Sequence, residues 1–367
     1  AMTFQNNSSL LKKYQPLSAS GGTQQSLAME VTYLPSEILN IIALVIPCLL
    51  GTFGNLLVTY VFMWKKRRMR KPFESLLSIL AVVDMFASMV VPVLFIYGAI
   101  TKYRRWHFGY IGCKMISSFF PISVTLSQGI LVLISYERYK SIKAPFERSL
   151  RQSFILVWML ITFVIGLILV SPYVYVLELV TSDQYGINTC IPSEKETSIM
   201  LLYSIGNVIR DFGATFVMIT LGRMSNNVLK RSNTQLNADM TQFTDGPRCR
   251  NMEKARKMLI VVVIVFSTCV IPLDVFQFIV YILYHVGVTF SKRAYETVLT
   301  FNSVLSVLQI MNSATNVVIY SRMHKDFTRS LFSNARKTLR NFSQIVREFR
   351  MSDQKKEQST ELLDLSL

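Results

Sequence analysis

Glu137-Arg138-Tyr139 closes the third of seven long apolar runs in this 367-residue chain, and Cys113 lies near the start of the same run. Read as a helix rising about 1.5 Å per residue, the stretch from Cys113 to Arg138 spans roughly 37 Å. That length crosses the hydrocarbon core of a bilayer and reaches the headgroup layers on both sides. One helix therefore holds a thiol at one face of a membrane and an arginine at the other.

Composition leads to the same class. Hydrophobic residues make up 51% of the chain and the mean hydropathy is +0.37, too apolar for a soluble chain of this length, so the core is shared between helices and lipid. A net charge of +17 would suit a nucleic-acid partner in a soluble protein, but the basic residues lie almost entirely between or after the apolar runs, which makes them topology signals. No nucleic-acid partner is expected.

The runs read as helices over Leu39–Trp64, Phe73–Ile100, Gly109–Ile142, Phe154–Leu177, Ser198–Met224, Ala255–Tyr284 and Tyr295–Tyr320. The fold class expected is an all-α membrane protein, a seven-transmembrane helix bundle followed by a cytoplasmic amphipathic eighth helix. The first connection, Lys65-Lys66-Arg67-Arg68-Met69-Arg70-Lys71, and the basic second and third connections mark the cytoplasmic side, so the N-terminus faces outward. The chain divides into an extracellular tail (1–37), the bundle (38–320), a membrane-surface helix (321–350) and a cytoplasmic tail (351–367). The tail from Thr3 to about Ser36 is polar and reads as no cleavable signal peptide, leaving insertion to the first helix. Asn6 and Asn7 head overlapping glycosylation sequons.

Gly54-Asn55, Leu80-Ala81-Val82-Val83-Asp84, Trp106-His107-Phe108-Gly109, Glu137-Arg138-Tyr139, Trp158, Pro272 and Asn316-Val317-Val318-Ile319-Tyr320 occur in order, each in its own run or loop. Together they make the chain resemble the rhodopsin-like (class A) G-protein-coupled receptors, from about residue 39 to 332. The resemblance implies a plasma-membrane receptor that transmits an extracellular signal to a heterotrimeric G protein. It also implies a bridge between Cys113 and Cys190, pinning the loop Glu178–Thr197 over the bundle, with two free external thiols as the alternative. Arg138, held by Glu137 when inactive, resembles the family's switch residue, and Tyr139, Asn316 and Tyr320 belong to the same coupling apparatus.

An ionisable group in mid-membrane is costly unless compensated, which singles out Asp84 on physical grounds. Ser127, Asn312, Ser313 and Asn316 supply neighbouring oxygens, with Asn55 behind; by resemblance they form a sodium pocket, and an all-oxygen set suits a hard monovalent cation. The other reading is a hydrogen-bond network around a protonated Asp84 with no ion. Apart from that structural sodium no cofactor is expected. Three histidines, no metal-ligand constellation and no nucleophile constellation point away from an enzyme.

The ligand is bounded by exclusion. Phe120 stands where amine receptors carry an Asp, and Ile310 where opsins carry a lysine. Arg210, Asp211 and Asp274 are ionisable at pocket depth, with Gln277 and Val270 alongside. Arg210 either binds an anionic ligand group or pairs with Asp274. A peptide is the least excluded ligand, with a small molecule as the other possibility. Val270 replaces the family's usual Trp, Val317 the proline of the seventh-helix motif, and Met252 the acidic partner of Arg138, which puts the usual activation route in doubt. Phe327, Leu331, Phe332, Ala335, Leu339, Phe342, Val346 and Phe349 repeat at helical spacing among basic residues, reading as a helix on the anionic inner leaflet or a calmodulin-target-like peptide. Leu362-Leu363-Asp364-Leu365 loosely resembles a clathrin-binding box, and arrestin is a further expected partner. The competing readings are a receptor-shaped interaction protein without ligand-driven signalling, and a transporter or channel, for which no inverted repeat or pore-lining charged ring is evident.

Overall fold

Apolar residues on every side of a helix mean lipid on one face and protein on the other, and the fourth run shows how narrow the protein face becomes. In the computed structural model its buried residues are Ile155, Thr162, Gly166, Val170, Tyr173 and Val176, mostly three, four or seven apart and so on one stripe. Leu156, Val157, Leu160 and Ile168 point away from the bundle, where acyl chains would surround them. The structure describes residues 35–65, 72–101, 105–144, 147, 150–182, 187–193, 196–239 and 247–323.

Seven long helices follow in order: α1 (Pro35–Thr59, continued by a π-helical turn over Tyr60–Lys65), α2 (Pro72–Ile100), α3 (Gly109–Lys143), α4 (Gln152–Val176), α5 (Thr197–Asp239), α6 (Pro247–His285) and α7 (Lys292–Met323). Between α4 and α5 lie β1 (Leu177–Ser182) and β2 (Ile187–Pro192), an antiparallel pair in which Leu179 faces Cys190. Helix α3 packs against α2, α4, α5 and α6. It approaches α4 closely at Gly129, where an added Cβ would collide with Thr162, and Trp158 donates its indole N–H to the Gly129 carbonyl at 2.9 Å. Helix α6 ends at Gly287, whose φ of 80° allows Gly287 to donate back to Tyr284 and Val288 to Leu283, a pairing that satisfies the last carbonyls.

Among the described residues five helices, α1, α2, α3, α4 and α6, are long and apolar enough to cross a membrane. Helices α5 and α7 fall short of that apolarity for a reason that bears on function. Ser204, Asn207 and Asp211 in α5, and Asn302, Ser306, Gln309, Asn312 and Asn316 in α7, are buried. Their spacing puts each set on one face, turned into the bundle. The sequence-based limits of α5 and α6 prove short. The residues after Met224 are polar, so a hydropathy reading stops there, yet they include neither Pro nor Gly and the helix continues to Asp239. Likewise α6 begins at Pro247, a residue suited to a first helical turn, rather than at Ala255.

The compact unit runs to Ile319, and residues from Tyr320 form a second unit. Of that unit only the last turn of α7 is described, and the expected amphipathic helix, the clathrin-like motif and the tail lie outside the described residues. So do Asn6, Asn7 and the side chains of Met252, Glu253 and Tyr320.

Candidate functional site

At the outer end of α3, Cys113 is fully buried and joined to Cys190 of β2 by a disulfide, with Cα atoms 5.6 Å apart. The hairpin is tied down a second time where Trp106 donates its backbone N–H to the Asn188 carbonyl at 2.7 Å. The sequence reading treated this segment as a plain loop. The alternation Leu177-Glu178-Leu179-Val180-Thr181 followed by Asp183 and Gly186 was the hairpin signal.

Beneath the hairpin a cavity of about 190 Å³ opens between α2, α3, α5, α6 and α7. Phe120, Arg210, Asp274 and Gln277 line it, and Gln277 donates to Asn302 Oδ1 at 3.2 Å. Asp211 and Val270, both expected at the pocket, are not part of its lining. Asp211 follows Arg210 by one residue and so points about 100° away around the helix, into α3, where Gln128 Nε2 donates to its Oδ1 at 3.2 Å. Val270 lies one helical turn below Asp274 and lines a separate void of about 20 Å³.

Arg210 is enclosed on all sides. Its Nε donates to Asp211 Oδ1 at 2.8 Å, Nη1 to Thr125 Oγ1 at 3.2 Å and to Asn207 Oδ1 at 3.0 Å, and Nη2 to Asp274 Oδ2 at 2.9 Å. The ion pair with Asp274 therefore exists and bridges α5 to α6. Thr125, Gln128 and Asn207, the neutral members, were missed in the sequence because uncharged polar residues in a membrane helix carry little signal one at a time.

Lower in the bundle, Asp84 is fully buried. Its Oδ1 accepts from Ser127 Oγ at 2.9 Å and from Ser313 Oγ at 3.2 Å, and its Oδ2 from Asn316 Nδ2 at 2.8 Å. Asn55 donates to the carbonyls of Gly51 at 2.9 Å and Ser313 at 3.1 Å, fastening α1 to α7 behind the cage. Asn312 makes no bond to Asp84. Its side chain lines the 20 Å³ void together with Ser127, Ser313 and Val270, and its Oδ1 is buried with no hydrogen-bond partner among the described residues. A void of that size holds one water-sized occupant. A hydroxyl that donates to a carboxylate keeps lone pairs for a cation, so Ser127 and Ser313, which donate to Asp84 and border the void with Asn312, are oxygens of the kind a sodium ion would need.

At the opposite end of α3 from Cys113, Arg138 Nη2 lies 2.9 Å from Glu137 Oε2, and its guanidinium sits 3.5 Å from the centroid of the Phe73 ring. Ser141 Oγ donates to the other Glu137 oxygen at 3.0 Å. The arginine is thus held by a charge and by an aromatic face, and Phe73 is a partner that sequence reasoning did not identify. Tyr139 is partly buried.

A family model described as "7 transmembrane receptor (rhodopsin family)" matches residues 54–320. The chain is similar to the type-1 angiotensin II receptor B of Xenopus laevis, 25% identical over 280 residues that cover 76% of this chain and 74% of the relative. It is also similar to the C3a anaphylatoxin chemotactic receptor of Oncorhynchus mykiss, 25% identical over 310 residues, 82% of this chain and 78% of the relative. A neuropeptide Y receptor type 6 of Mus musculus is 23% identical over 305 residues, 80% and 79% of the two chains.

Proposed function

The chain belongs to the rhodopsin family of seven-transmembrane receptors, which makes it a G-protein-coupled signalling receptor of the plasma membrane rather than an enzyme, and on that premise we propose that it reads an extracellular peptide. The similarity to a neuropeptide Y receptor supports a peptide, as does an open cavity in which amides and charged groups stand among apolar and aromatic side chains. The basic cytoplasmic connections support an outward N-terminus.

The observation that carries this reading is the arrangement along α3. The clamped hairpin and cavity lie at its outer end, and Arg138, held by Glu137 and Phe73, lies at its inner end. Release of Arg138 from those two contacts would free a partly buried guanidinium for the G protein. In the middle, Asp84, Ser127, Asn312 and Ser313 would hold a sodium ion, whose positive charge neutralises Asp84; Asn316 orients the carboxylate from α7.

Expression of the receptor with G-protein dissociation as readout, screened against a peptide library, tests the proposal. A peptide that dissociates a G protein from the wild type and not from Arg138→Ala at equal surface expression is the expected outcome. Responses confined to non-peptide metabolites would reject the ligand class, and undiminished responses in Arg138→Ala would reject the role of Arg138.

A further inference from the structure

The floor of the outer cavity carries one guanidinium and two carboxylates. Arg210, Asp211 and Asp274 are all buried, so with each group ionised the cluster has one negative charge in excess. Four of the five N–H donors of Arg210 are already used within this chain, by Asp211, Thr125, Asn207 and Asp274. An anionic ligand group approaching it would meet the two carboxylates as well, which disfavours the simplest use of a pocket arginine. Asp274 accepts from Arg210 only through Oδ2. The Asp274 carboxyl also lies within hydrogen-bond reach of that of Asp211, and Asp274 lines the cavity.

A second feature is independent of charge. Tyr203 precedes Arg210 by seven residues on α5, and Tyr281 follows Asp274 by seven on α6. Two turns along each helix bring each ring back to the face of the charged residue, about 10 Å nearer the outside. Tyr173 stacks on Tyr203 with ring centroids 5.2 Å apart, and all three rings line the cavity. Between the tyrosines and the charges lie Asn207 and Gln277, three residues from Arg210 and Asp274 respectively. The cavity is thus layered: tyrosine rings outermost, amides below, and the Asp274 carboxyl at the bottom. Aromatic faces attract cations, and the attraction grows as water is removed. The remaining charged lining residue is Arg105, on the segment before α3.

We propose that this cavity selects a ligand group bearing a guanidinium or ammonium on a slender stem, which passes the tyrosines and pairs with Asp274. In a peptide this is a basic side chain. That the carrier is a peptide rests on the function proposed above; the charge preference does not.

Benzamidinium, benzamide and benzoate have nearly one shape and differ in charge, so they isolate the preference from any peptide. Purified full-length receptor in detergent is titrated with each at fixed ionic strength, and the thermal unfolding midpoint gives apparent affinities. Benzamidinium is expected to bind about tenfold more tightly than benzamide, with benzoate weakest. Asp274→Asn should erase the benzamidinium advantage. That variant keeps Asp211 against Arg210, so the buried guanidinium stays compensated. Tyr281→Leu, which leaves the charges intact, should reduce the advantage. A preference for benzoate, an advantage that survives in Asp274→Asn, or three indistinguishable probes would each overturn the proposal; the last would mean that the surplus carboxylate holds a proton of its own. If no library peptide activates the receptor while benzamidinium retains its advantage, the peptide reading alone fails.

Discussion

Asp84 accepts three hydrogen bonds, all from uncharged side chains, and makes no ion pair among the described residues. Two of its donors, Ser127 and Ser313, border a small void with the unpartnered Asn312 Oδ1, where the proposed cation would sit. Thermal stability in sodium, compared with a bulky organic cation at equal ionic strength, should therefore differ by about 1–3 kcal/mol at saturating salt. Asp84→Asn should remove the difference by deleting the formal charge. A wild-type protein indifferent to sodium would leave a hydrogen-bond network around a protonated carboxyl. Asp84 and Arg138 were legible in the sequence because an isolated charge in an apolar run must be explained. The surroundings of Arg210 were less so: adjacent residues on a helix diverge, and only the reach of the arginine side chain brings Nε within 2.8 Å of Asp211. That reach depends on a rotamer, which the sequence does not display.

Between elements, the same arginine fastens α5 to α6, and its loss is not equivalent to the loss of its partner. Arg210→Met leaves two buried carboxylates uncompensated and should destabilise by about 3–5 kcal/mol. Asp274→Asn leaves Arg210 paired with Asp211 and should cost about 1–3 kcal/mol. The double variant should be milder than the sum, with a coupling of about 1–3 kcal/mol from thermal or denaturant unfolding; additive losses would show that the groups are compensated separately. A second contrast concerns glycines. Gly129→Ala places a methyl against Thr162 where α3 and α4 nearly touch and should cost about 1–3 kcal/mol. Gly213→Ala, with nothing within 4 Å of its Cβ position, should be neutral or stabilise by up to about 1 kcal/mol. Equal effects at both would mean that the helices separate easily at Gly129. Helix number and order, and the limits of α2, α3 and α4, were readable from hydrophobic runs, whereas the lengths of α5 and α6 were not. Hydropathy marks where lipid ends, but a helix ends where its backbone is capped, and α5 and α6 extend beyond the apolar residues that announce them.

At the scale of the molecule, a signal from the outer cavity to Arg138 must pass the level of Pro272 in α6, where Val270 stands in place of the family's usual tryptophan. Val270 is 1% exposed and borders the 20 Å³ void, so the bundle has closed around the smaller side chain and left only a water-sized gap. An indole that can occupy two discrete positions between helices is absent. Two other contact sets tie helices together: the Arg210–Asp274 pair joins α5 to α6, and the Arg138–Glu137–Phe73 contacts join α3 to α2. A closed-to-open difference of about 2.7 kcal/mol would leave roughly 1% of receptors open without ligand, enough to register as basal G-protein dissociation. Arg138→Ala should abolish that signal at matched surface expression. Val270→Trp should raise it, because the void is far too small for an indole and over-packing weakens the closed arrangement. Silence of the wild type across a full G-protein panel, or basal activity undiminished in Arg138→Ala, would refute this account while leaving the seven-helix fold untouched.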